Sequence, residues 1–274
     1  MTSKVDVTAL ADLLRRAAKA EIMPRFRRLG RTDVRAKTEA TDLVTEADEQ
    51  AELMIKAEIA RLWPDALFIG EESVAADPAL LGGLKDAEFV IIVDPVDGTF
   101  NFASGIPAFG VMASVVVAGE TVAGIIYDPM GDDWVMAEKG GGAWLRRPDG
   151  EAQRLSVAAP VALDQMVGMA STGYLPKDKQ PRILANLSKV RFAANYRCAA
   201  HEHRTLAAGH VHYLMYYKLM PWDHLAGTLV CQEAGAYAAR FDGTPYLPRH
   251  LDGGLLIAPD KASWELLRRE VFTV

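Results

Sequence analysis

Two aspartates follow closely on an apolar stretch in the first half of the chain. Residues 89–93 are typical of a buried strand, and they lead directly into Asp94, Pro95, Val96, Asp97, Gly98 and Thr99. Carboxylates this close together raise each other's pKa unless a cation neutralises them, and hard oxygen ligands suit Mg²⁺ or Mn²⁺. The segment therefore predicts a metal site at the end of a strand.

A second acidic strand end lies about twenty residues upstream. A short apolar run ends at Gly70 and is followed by Glu71 and Glu72. The alternative for Asp94 to Gly98 is an ordinary turn, because Asp, Pro and Gly all favour turns. The repeated acidic pair favours the metal site, and we expect the two strand ends to meet at one cation cluster.

The elements that position these acids begin with two helices. Apolar residues follow a helical period over 7–29, which predicts the first helix. Thr45 and Asp48 have the spacing of a capping box, which predicts a second helix that ends before Pro64. Strands are expected at 67–69, 89–93, 110–117, 122–127, 134–137 and 143–146. This half is predicted to be an antiparallel sheet with helices on one side.

The second half alternates strands and helices. Strands are expected at 166–170, 190–194, 211–217, 236–241 and 255–258, with helices near 182–188, 199–208 and 223–233 and at the end of the chain. Alternation of this kind favours an α/β architecture. We predict an α/β protein with an α+β lobe over 1–153 and an α/β lobe over 154–274, held as one rigid body.

Composition excludes several classes of function. The 274 residues carry a net charge of −6 and are 50% hydrophobic, as in ordinary soluble proteins, so a nucleic-acid polymer is not an expected partner. The only two cysteines are far apart, which predicts reduced thiols in a cytoplasm. We expect no signal peptide, because the start of the chain lacks a continuous apolar core, and no membrane span, because no run is long enough.

Three segments together resemble the signatures of the inositol monophosphatase family. They are Asp94 to Phe102, Gly70 to Ser73, and Trp222 with Asp223, Ala226 and Gly227. The resemblance runs through nearly the whole chain. It implies a layered αβαβα sandwich, as in inositol monophosphatase and fructose-1,6-bisphosphatase. It also implies a homodimer with Mg²⁺-dependent, lithium-sensitive phosphatase activity on small phosphomonoesters.

The resemblance also implies which residues bind metal. Glu71, Asp94 and the backbone carbonyl of Val96 would hold a first ion, and Asp94, Asp97 and Asp223 a second. Glu71 could serve a third, weaker ion. The alternative for Asp223 is the N-cap of a helix, a role that a metal ligand can also have.

The catalytic residues implied by the resemblance are Asp48, Thr99 and Glu72. Asp48 accepts the proton of the Thr99 hydroxyl, which in turn accepts from the attacking water. The alternatives are a capping-box role for Asp48, a turn hydroxyl for Thr99 and a solvated surface side chain for Glu72. Lys37 matches a lysine that covers the metal site in the family, although most lysines are simply solvated.

Around the substrate, the resemblance places Asp97, Gly98, Thr99, Arg197, Cys198, Ala199 and Tyr216. The backbone N–H groups of Gly98 and Thr99, at the start of a short helix, suit phosphate oxygens. Arg197 stands where relatives commonly have glycine, and we hypothesise that it contacts a second anionic group on the substrate. The alternative is a structural pair with a nearby acid.

Two further positions bear on the substrate. Tyr216 stands where inositol-selective relatives have a glutamate, which weakens an inositol assignment. Phe100 stands where relatives acting on nucleotide 3′-phosphates or histidinol phosphate often have lysine. The histidines near residues 201–212 are not expected to form a metal site, because His201 and His203 point to different faces of a helix.

We therefore expect a cytoplasmic Mg²⁺-dependent phosphatase acting on a small phosphorylated metabolite such as an inositol or sugar phosphate. One alternative is a nucleotide 3′-phosphatase or histidinol-phosphate phosphatase on the same scaffold. Another, of a different class, is a catalytically silent regulatory protein that binds a metabolite.

Overall fold

The computed structural model describes residues 5–30, 33–37, 43–85 and 87–274. Its helices are α1 Val7–Ala17, α2 Glu46–Leu62, α3 Glu71–Ala76, α4 Thr99–Ala103, α5 Gln180–Asn186, α6 Ala199–Ala207, α7 Pro221–Glu233 and α8 Lys261–Glu270. Its strands are β1 Val34–Ala36, β2 Leu43–Thr45, β3 Leu67–Gly70, β4 Phe89–Asp97, β5 Gly110–Val117, β6 Glu120–Asp128, β7 Asp133–Glu138, β8 Ala143–Arg146, β9 Ala152–Arg154, β10 Val167–Ala170, β11 Phe192–Ala194, β12 Tyr213–Tyr216, β13 Tyr237–Arg240 and β14 Leu255–Ala258.

The strands form two large sheets and one small one. A seven-stranded sheet has the order β3-β4-β5-β6-β7-β8-β9, and a five-stranded sheet has the order β11-β10-β12-β14-β13. Strands β1 and β2 form a separate antiparallel pair. Among the described residues, no helix is both long enough and apolar enough to span a bilayer.

Alternating side chains on the strands build five layers. On β4, Ile91 and Val93 face α1 and α2, whereas Val90 and Ile92 face α7. On β12, Leu214 packs in the cluster with α7, and Tyr213 packs in the cluster with α8. Successive residues of a strand point to opposite faces, so each sheet is covered by helices on both sides. The α/β class and the layered αβαβα sandwich are confirmed.

Several predicted elements are corrected. The first helix does not reach residue 29: α1 passes into a π-helical turn at Ala18–Ile22 and the chain then turns, because Pro24 has no N–H to continue the helix. The seven-stranded sheet is not wholly antiparallel, since β3 and β4 pair in parallel. Strands β1, β2 and β9 were not predicted, because three residues carry too little periodicity. The division into lobes at residue 153 stays a prediction.

Gly70, at the end of β3, allows a close approach to helix α2. A Cβ atom there would lie 2.3 Å from Cδ of Glu52. The Glu52 carboxylate, which is buried, accepts the backbone N–H groups of Glu72 and Ser73 at 2.8 and 2.7 Å and so satisfies the start of α3. The glycine therefore holds the acidic pair Glu71 and Glu72 in place through Glu52.

We expect Gly70→Ala to lower the free energy of unfolding by about 1–3 kcal/mol, because the added methyl group overpacks against a buried carboxylate. Urea denaturation measures this change. Gly82→Ala is the matched control, since a Cβ at residue 82 meets no atom within 4 Å. Equal denaturation midpoints for the two variants would show that Glu52 moves aside without cost.

Candidate active site

The two acidic strand ends lie side by side. In the parallel pairing of β3 with β4, Gly70 is opposite Val93. Glu71 and Asp94 therefore leave neighbouring strands at the same edge of the sheet, as the sequence predicts.

A β-bulge turns the second aspartate of β4 toward the first. Asp94 pairs with Met112 and Asp97 with Gly110, so three steps along β4 match only two along β5. In a regular strand, residues three apart point to opposite faces. The extra residue in the bulge reverses that alternation, and Asp94 and Asp97 can face the same point.

Asp223 completes the cluster from helix α7. It is the third residue of the helix and not its N-cap, which is Met220, because Pro221 begins the helix. One carboxylate oxygen each from Asp94, Asp97 and Asp223 lie within 4.8 Å of one another. Asp94 lies on the same face of β4 as Val90 and Ile92, the face that packs against α7. Asp94 and Asp223 therefore meet although they are distant in the sequence.

The cluster has the electrostatics of a cation site. Burial raises the pKa of Asp94 well above its usual value, and the charges of Glu71, Asp97 and Asp223 raise it further. Burial, with the charges of Glu71 and Asp97, does the same to the pKa of Asp223. Within the described part of the chain, none of the three aspartates forms an ion pair with Lys or Arg. Oxygen donors of this number and charge fit a divalent cation.

Beside the cluster lies a chain of hydrogen bonds from Thr99 to Asp48. The Thr99 hydroxyl lies 2.9 Å from Asp48 Oδ1 and 2.9 Å from the Val96 carbonyl oxygen. The other oxygen of Asp48 accepts the backbone N–H and the hydroxyl of Thr45 at 2.9 and 2.5 Å. Asp48 thus has its predicted capping-box role and contacts Thr99 at the same time.

Gly98 shapes the turn between the bulge and Thr99. Its φ of 88° is in the left-handed region, and a Cβ there would lie 2.9 Å from the Ala108 carbonyl oxygen. Glycine avoids both the backbone strain and the clash. The residue is the N-cap of α4, so Thr99 is the first residue of a helix and not only part of a turn.

Lys37 bridges the two glutamates at the start of α3. Its Nζ lies 2.7 Å from Glu71 Oε1 and 2.6 Å from Glu72 Oε1. Burial lowers the pKa of Lys37, but the charges of Glu71 and Glu72 outweigh it and raise the pKa overall. Burial and the charge of Glu71 raise the pKa of Glu72 to about 8. Glu72 is therefore not a solvated surface side chain.

We expect Lys37→Gln to lower the dissociation constant for an added divalent cation such as Mg²⁺ by about fivefold, because the ammonium group competes with a cation for Glu71. Titration calorimetry with Mg²⁺ measures this. Arg35→Gln is the matched control, since Arg35 pairs with Glu49 at 2.6 Å on the exposed surface. A higher dissociation constant in the Lys37 variant would instead show that the lysine supports metal binding.

Asp97 is held by the chain segment that leads into α6. Its Oδ2 accepts the thiol of Cys198 at 3.0 Å and the backbone N–H of Ala200 at 2.5 Å. Ala199 is the first residue of α6. Burial raises the pKa of Asp97, and this effect outweighs the hydrogen bonds, which lower it. The predicted substrate-side residues Cys198 and Ala199 thus adjoin a predicted metal ligand.

A family model described as the inositol monophosphatase family matches residues 3–271. The chain belongs to this family. Relatives in this family are named inositol-1-monophosphatase, a phosphoric monoester hydrolase, and the family is metal-dependent, in keeping with the acidic cluster. The recognition from three short segments and the prediction of an enzyme are both confirmed.

Individual relatives agree with this assignment. A Thermotoga maritima protein named fructose-1,6-bisphosphatase/inositol-1-monophosphatase is 31% identical over 224 residues, which cover 78% of each chain. A Vibrio cholerae protein named Nus factor SuhB is 33% identical over 217 residues, which cover 76% of each. The solved structure of a Thermotoga maritima inositol monophosphatase matches with a TM-score of 0.79 and 26% identity, covering 97% of this chain and 95% of the other.

Two of the predicted substrate-side residues, Arg197 and Tyr216, differ in their surroundings. Arg197 is exposed, has a φ of 53° and places its guanidinium carbon 3.6 Å from the ring centroid of Phe100. Tyr216 is buried, with its ring 5.2 Å from that of His203 and 4.3 Å from that of His224. The Tyr216 ring is therefore part of the core between two histidines.

The ring nitrogens of His201 and His203 contact different backbone carbonyls and do not converge on one point. His203 Nδ1 contacts the Ala199 carbonyl at 2.7 Å, and His201 Nε2 contacts the Phe109 carbonyl at 3.1 Å. Among the described residues, the only group of metal-ligating side chains is the cluster of three aspartates. The expectation that the two histidines point to different faces of α6 is met.

Sequence reasoning missed Glu52, which anchors the start of α3. One signal was present: Glu52 lies four residues after Asp48, so both acids share a helix face that also buries Ala51 and Ile55. A glutamate among buried positions needs a partner, and the orphan N–H groups of a neighbouring helix provide one.

Proposed function

We propose that this protein is a Mg²⁺-dependent phosphatase that hydrolyses a small phosphomonoester with water. One observation supports this most strongly: three buried or half-buried aspartates, clustered within 4.8 Å, adjoin a threonine hydroxyl bonded to a buried aspartate. Divalent cations held there by Glu71, Asp94, Asp97, Asp223 and the Val96 carbonyl would neutralise phosphate oxygens and lower the pKa of water.

In this proposal, Thr99 positions the attacking water. A hydroxyl has one proton and two lone pairs, and Thr99 has two acceptors within 2.9 Å, Asp48 Oδ1 and the Val96 carbonyl. Its proton is therefore committed to one of them, and a lone pair is left to accept from water. Two hydrogen bonds from Thr45 hold the Asp48 carboxylate in place. Asp48 is therefore the final acceptor in the series of hydrogen bonds from water through Thr99.

The pH dependence of turnover should report on Asp48. Burial raises the pKa of Asp48 to about 6, opposed by the hydrogen bond from Thr45, while the charge of Glu71 adds to the rise. As the pH falls through this pKa, Asp48 becomes protonated and no longer accepts from Thr99. We therefore expect kcat to fall on the acid side of about pH 6, or lower where a cation offsets Glu71.

Initial rates from pH 4.5 to 8 measure this acid limb. The matched comparison is Asp48→Asn, which we expect to be slow at every pH and to lack the limb. Thr99→Ser should retain it, because serine keeps the hydroxyl. An acid limb of unchanged position in Asp48→Asn would assign the titration to another group.

The substrate in this proposal is a small phosphorylated metabolite, such as an inositol or sugar phosphate, and Li⁺ inhibits. The Thermotoga relative is named for both fructose bisphosphate and inositol phosphate, which supports this breadth. A nucleotide 3′-phosphate or histidinol phosphate on the same scaffold is the enzymatic alternative. The name of the relative called Nus factor SuhB supports the non-enzymatic alternative, a regulatory protein.

Orthophosphate release from p-nitrophenyl phosphate tests the proposal. We expect turnover that requires Mg²⁺, stops on chelation with EDTA and returns when Mg²⁺ is restored in excess. A wild-type rate no higher than that of Asp94→Asn at every Mg²⁺ concentration would contradict the enzymatic proposal and favour the regulatory one.

The proposal includes a cytoplasmic location and a homodimer. The absence of a disulfide between Cys198 and Cys231, which are both buried with free thiols, supports the location, and the resemblance to the family supports the dimer. Light scattering on the purified protein measures the mass in solution, and a mass of one chain would contradict the dimer.

A further inference from the structure

Two neighbouring helices hold two of the aspartates of the acidic cluster. The backbone N–H of Ala200, in the first turn of α6, donates to Asp97 Oδ2 at 2.5 Å, and Asp223 is the third residue of α7. One carboxylate oxygen of Asp97 lies within 4.8 Å of one from Asp223. The separation of these oxygens therefore depends on how closely α6 and α7 pack.

The ring of His203 lies between the two helices. His203 belongs to α6 and is fully buried, and a Cβ added at Gly227 of α7 would lie 2.2 Å from His203 Cγ. Glycine thus lets the imidazole lie directly against the backbone of α7. Because protein interiors are close-packed, a side chain of another size at either position would change the distance between the helices.

Hydrogen bonding and stacking hold the His203 ring in place. Its Nδ1 lies 2.7 Å from the Ala199 carbonyl oxygen, so Nδ1 carries the proton and donates it there. The Tyr216 ring stacks on His203, with the centroids 5.2 Å apart and the planes at 24°. On Tyr216 lies the ring of His224, the residue after Asp223, at 4.3 Å. The imidazole of His203 therefore cannot swing aside without losing a hydrogen bond and its stack on Tyr216.

His203 acts through the space that it fills and not through charge. Burial lowers the pKa of His203 to about 4, so the ring is neutral at pH 7. Its Nε2 is buried without a hydrogen-bond partner among the described residues, which is unfavourable for a polar atom. The ring therefore contributes its volume and its fixed orientation at the contact between α6 and α7.

The two helices are also in close contact with the seven-stranded sheet. A Cβ at Gly124 of β6 would lie 2.5 Å from the carbonyl oxygen of Ala226, the residue before Gly227. A Cβ at Gly110 of β5 would lie 2.6 Å from Cβ of Ala200. Helix α7 is therefore confined by β6 on one side and by His203 on another, so a change in the volume of residue 203 or 227 must displace it.

We propose that His203 is a positioning residue that sets the separation of Asp97 and Asp223 and thereby makes the metal site favour Mg²⁺ over the larger Ca²⁺. This inference rests on the proposed function and adds to it a determinant of metal selectivity. Mg²⁺ needs oxygens at about 2.0–2.1 Å in near-ideal octahedral geometry, whereas Ca²⁺ accepts about 2.3–2.6 Å and irregular geometry. Carboxylates held rigidly and close together therefore favour the smaller ion.

Titration calorimetry with MgCl₂ and with CaCl₂ tests the proposal, through the ratio of the Ca²⁺ to the Mg²⁺ dissociation constant. We expect His203→Ala to lower this ratio at least about fivefold, chiefly by weakening Mg²⁺ binding, as when other residues that orient metal ligands are replaced. His203→Phe should keep the ratio within about twofold of the wild type, because a phenyl ring fills nearly the same space.

A change at Gly227 tests the same contact from α7. Gly227→Ala should lower the ratio about fivefold, because the added methyl group pushes α7 away from the His203 ring. The double variant with Gly227→Ala and His203→Ala should recover part of the ratio, since the methyl group then has room. A double variant no better than Gly227→Ala alone would overturn the inference, because the clash would then not involve His203.

Leu267→Ala is the matched control for a general loss of packing. Leu267 is fully buried in α8, in the cluster on the far face of the five-stranded sheet, so its loss should lower the urea midpoint and leave the ratio unchanged. If His203→Ala behaves like this control, His203 is only a core residue and the inference is overturned, while the proposed function stands.

Two further outcomes are decisive. If His203→Ala does not fold, the ratio in Gly227→Ala decides, and an unchanged ratio there overturns the inference. If the wild type binds neither Mg²⁺ nor Ca²⁺, the proposed function fails and the inference fails with it.

Discussion

Replacing Asp94 by Asn is expected to lower kcat at least about a thousandfold and, at the same time, to stabilise the protein in the absence of metal. The loss of activity follows because the charges of Glu71, Asp97 and Asp223 all act on Asp94, so a cation that neutralises the cluster depends on it. A thousandfold corresponds to about 4 kcal/mol of transition-state stabilisation, within the range that metal ions supply.

The gain in stability follows from the same charges. Asp94 is only 1% exposed, and burial and three neighbouring carboxylates disfavour its charged form. Asparagine removes one charge and keeps an oxygen for the Val96 N–H, which Asp94 accepts at 3.0 Å. We expect the free energy of unfolding in EDTA at pH 7 to rise by roughly 1–3 kcal/mol, because an uncompensated buried charge is removed.

Phosphate release and urea denaturation, each with and without Mg²⁺, measure the two effects. Asp65→Asn is the matched control, since Asp65 is exposed in the turn ahead of β3, at the opposite end of that strand. We expect Mg²⁺ to stabilise the wild type and not the Asp94 variant. If the variant is both inactive and less stable than the wild type in EDTA, Asp94 stabilises the fold, and its charge does not destabilise the metal-free protein.

Replacing Thr99 by Ala should lower kcat about 10²- to 10⁴-fold with little change in KM, the usual range for a positioned proton acceptor. The hydroxyl lies 2.9 Å from both Asp48 Oδ1 and the Val96 carbonyl oxygen and so joins the two. Alanine leaves the buried Asp48 without one of its hydrogen-bond donors and leaves the water without an acceptor.

Thr99→Ser is the matched control, because it keeps the hydroxyl and removes only a methyl group. We expect its kcat within tenfold of the wild type. Steady-state kinetics on p-nitrophenyl phosphate separate kcat from KM for both variants. A Thr99→Ala enzyme within threefold of the wild type would remove Thr99 from the reaction and leave it as a turn hydroxyl.

The acids of the site could be predicted from the sequence, whereas their geometry could not. Spacing and strand ends suggested that Glu71 and Asp94 meet, and the parallel pairing of β3 with β4 brings them to one edge. The bulge between Asp94 and Asp97 was not predictable, because nothing in the spacing says which residue of β4 is skipped by β5. Without the bulge, the two aspartates would point apart.

Contacts between distant segments could not be predicted from sequence patterns either. The stack of Arg197 on Phe100 and the bonds from Glu52 to the start of α3 join residues far apart in the chain. Periodicity and capping rules describe neighbours along the chain, so they located the capping box of Thr45 and Asp48 correctly but could not pair these segments. The start of helix α7 could have been predicted correctly, unlike these contacts. Proline is common at the first position of a helix, so Pro221 indicated that the helix begins two residues before Asp223.

The five layers have a consequence for folding. Asp48 comes from near the start of the chain and Asp223 from near its end, and they adjoin one centre only when α7 is seated between the two sheets. Contacts of such long range form slowly, because the entropy of closing a long loop is lost before they can stabilise anything. We therefore expect the acidic cluster to assemble late in folding, so that a partly folded chain with most of its secondary structure already in place has no complete site.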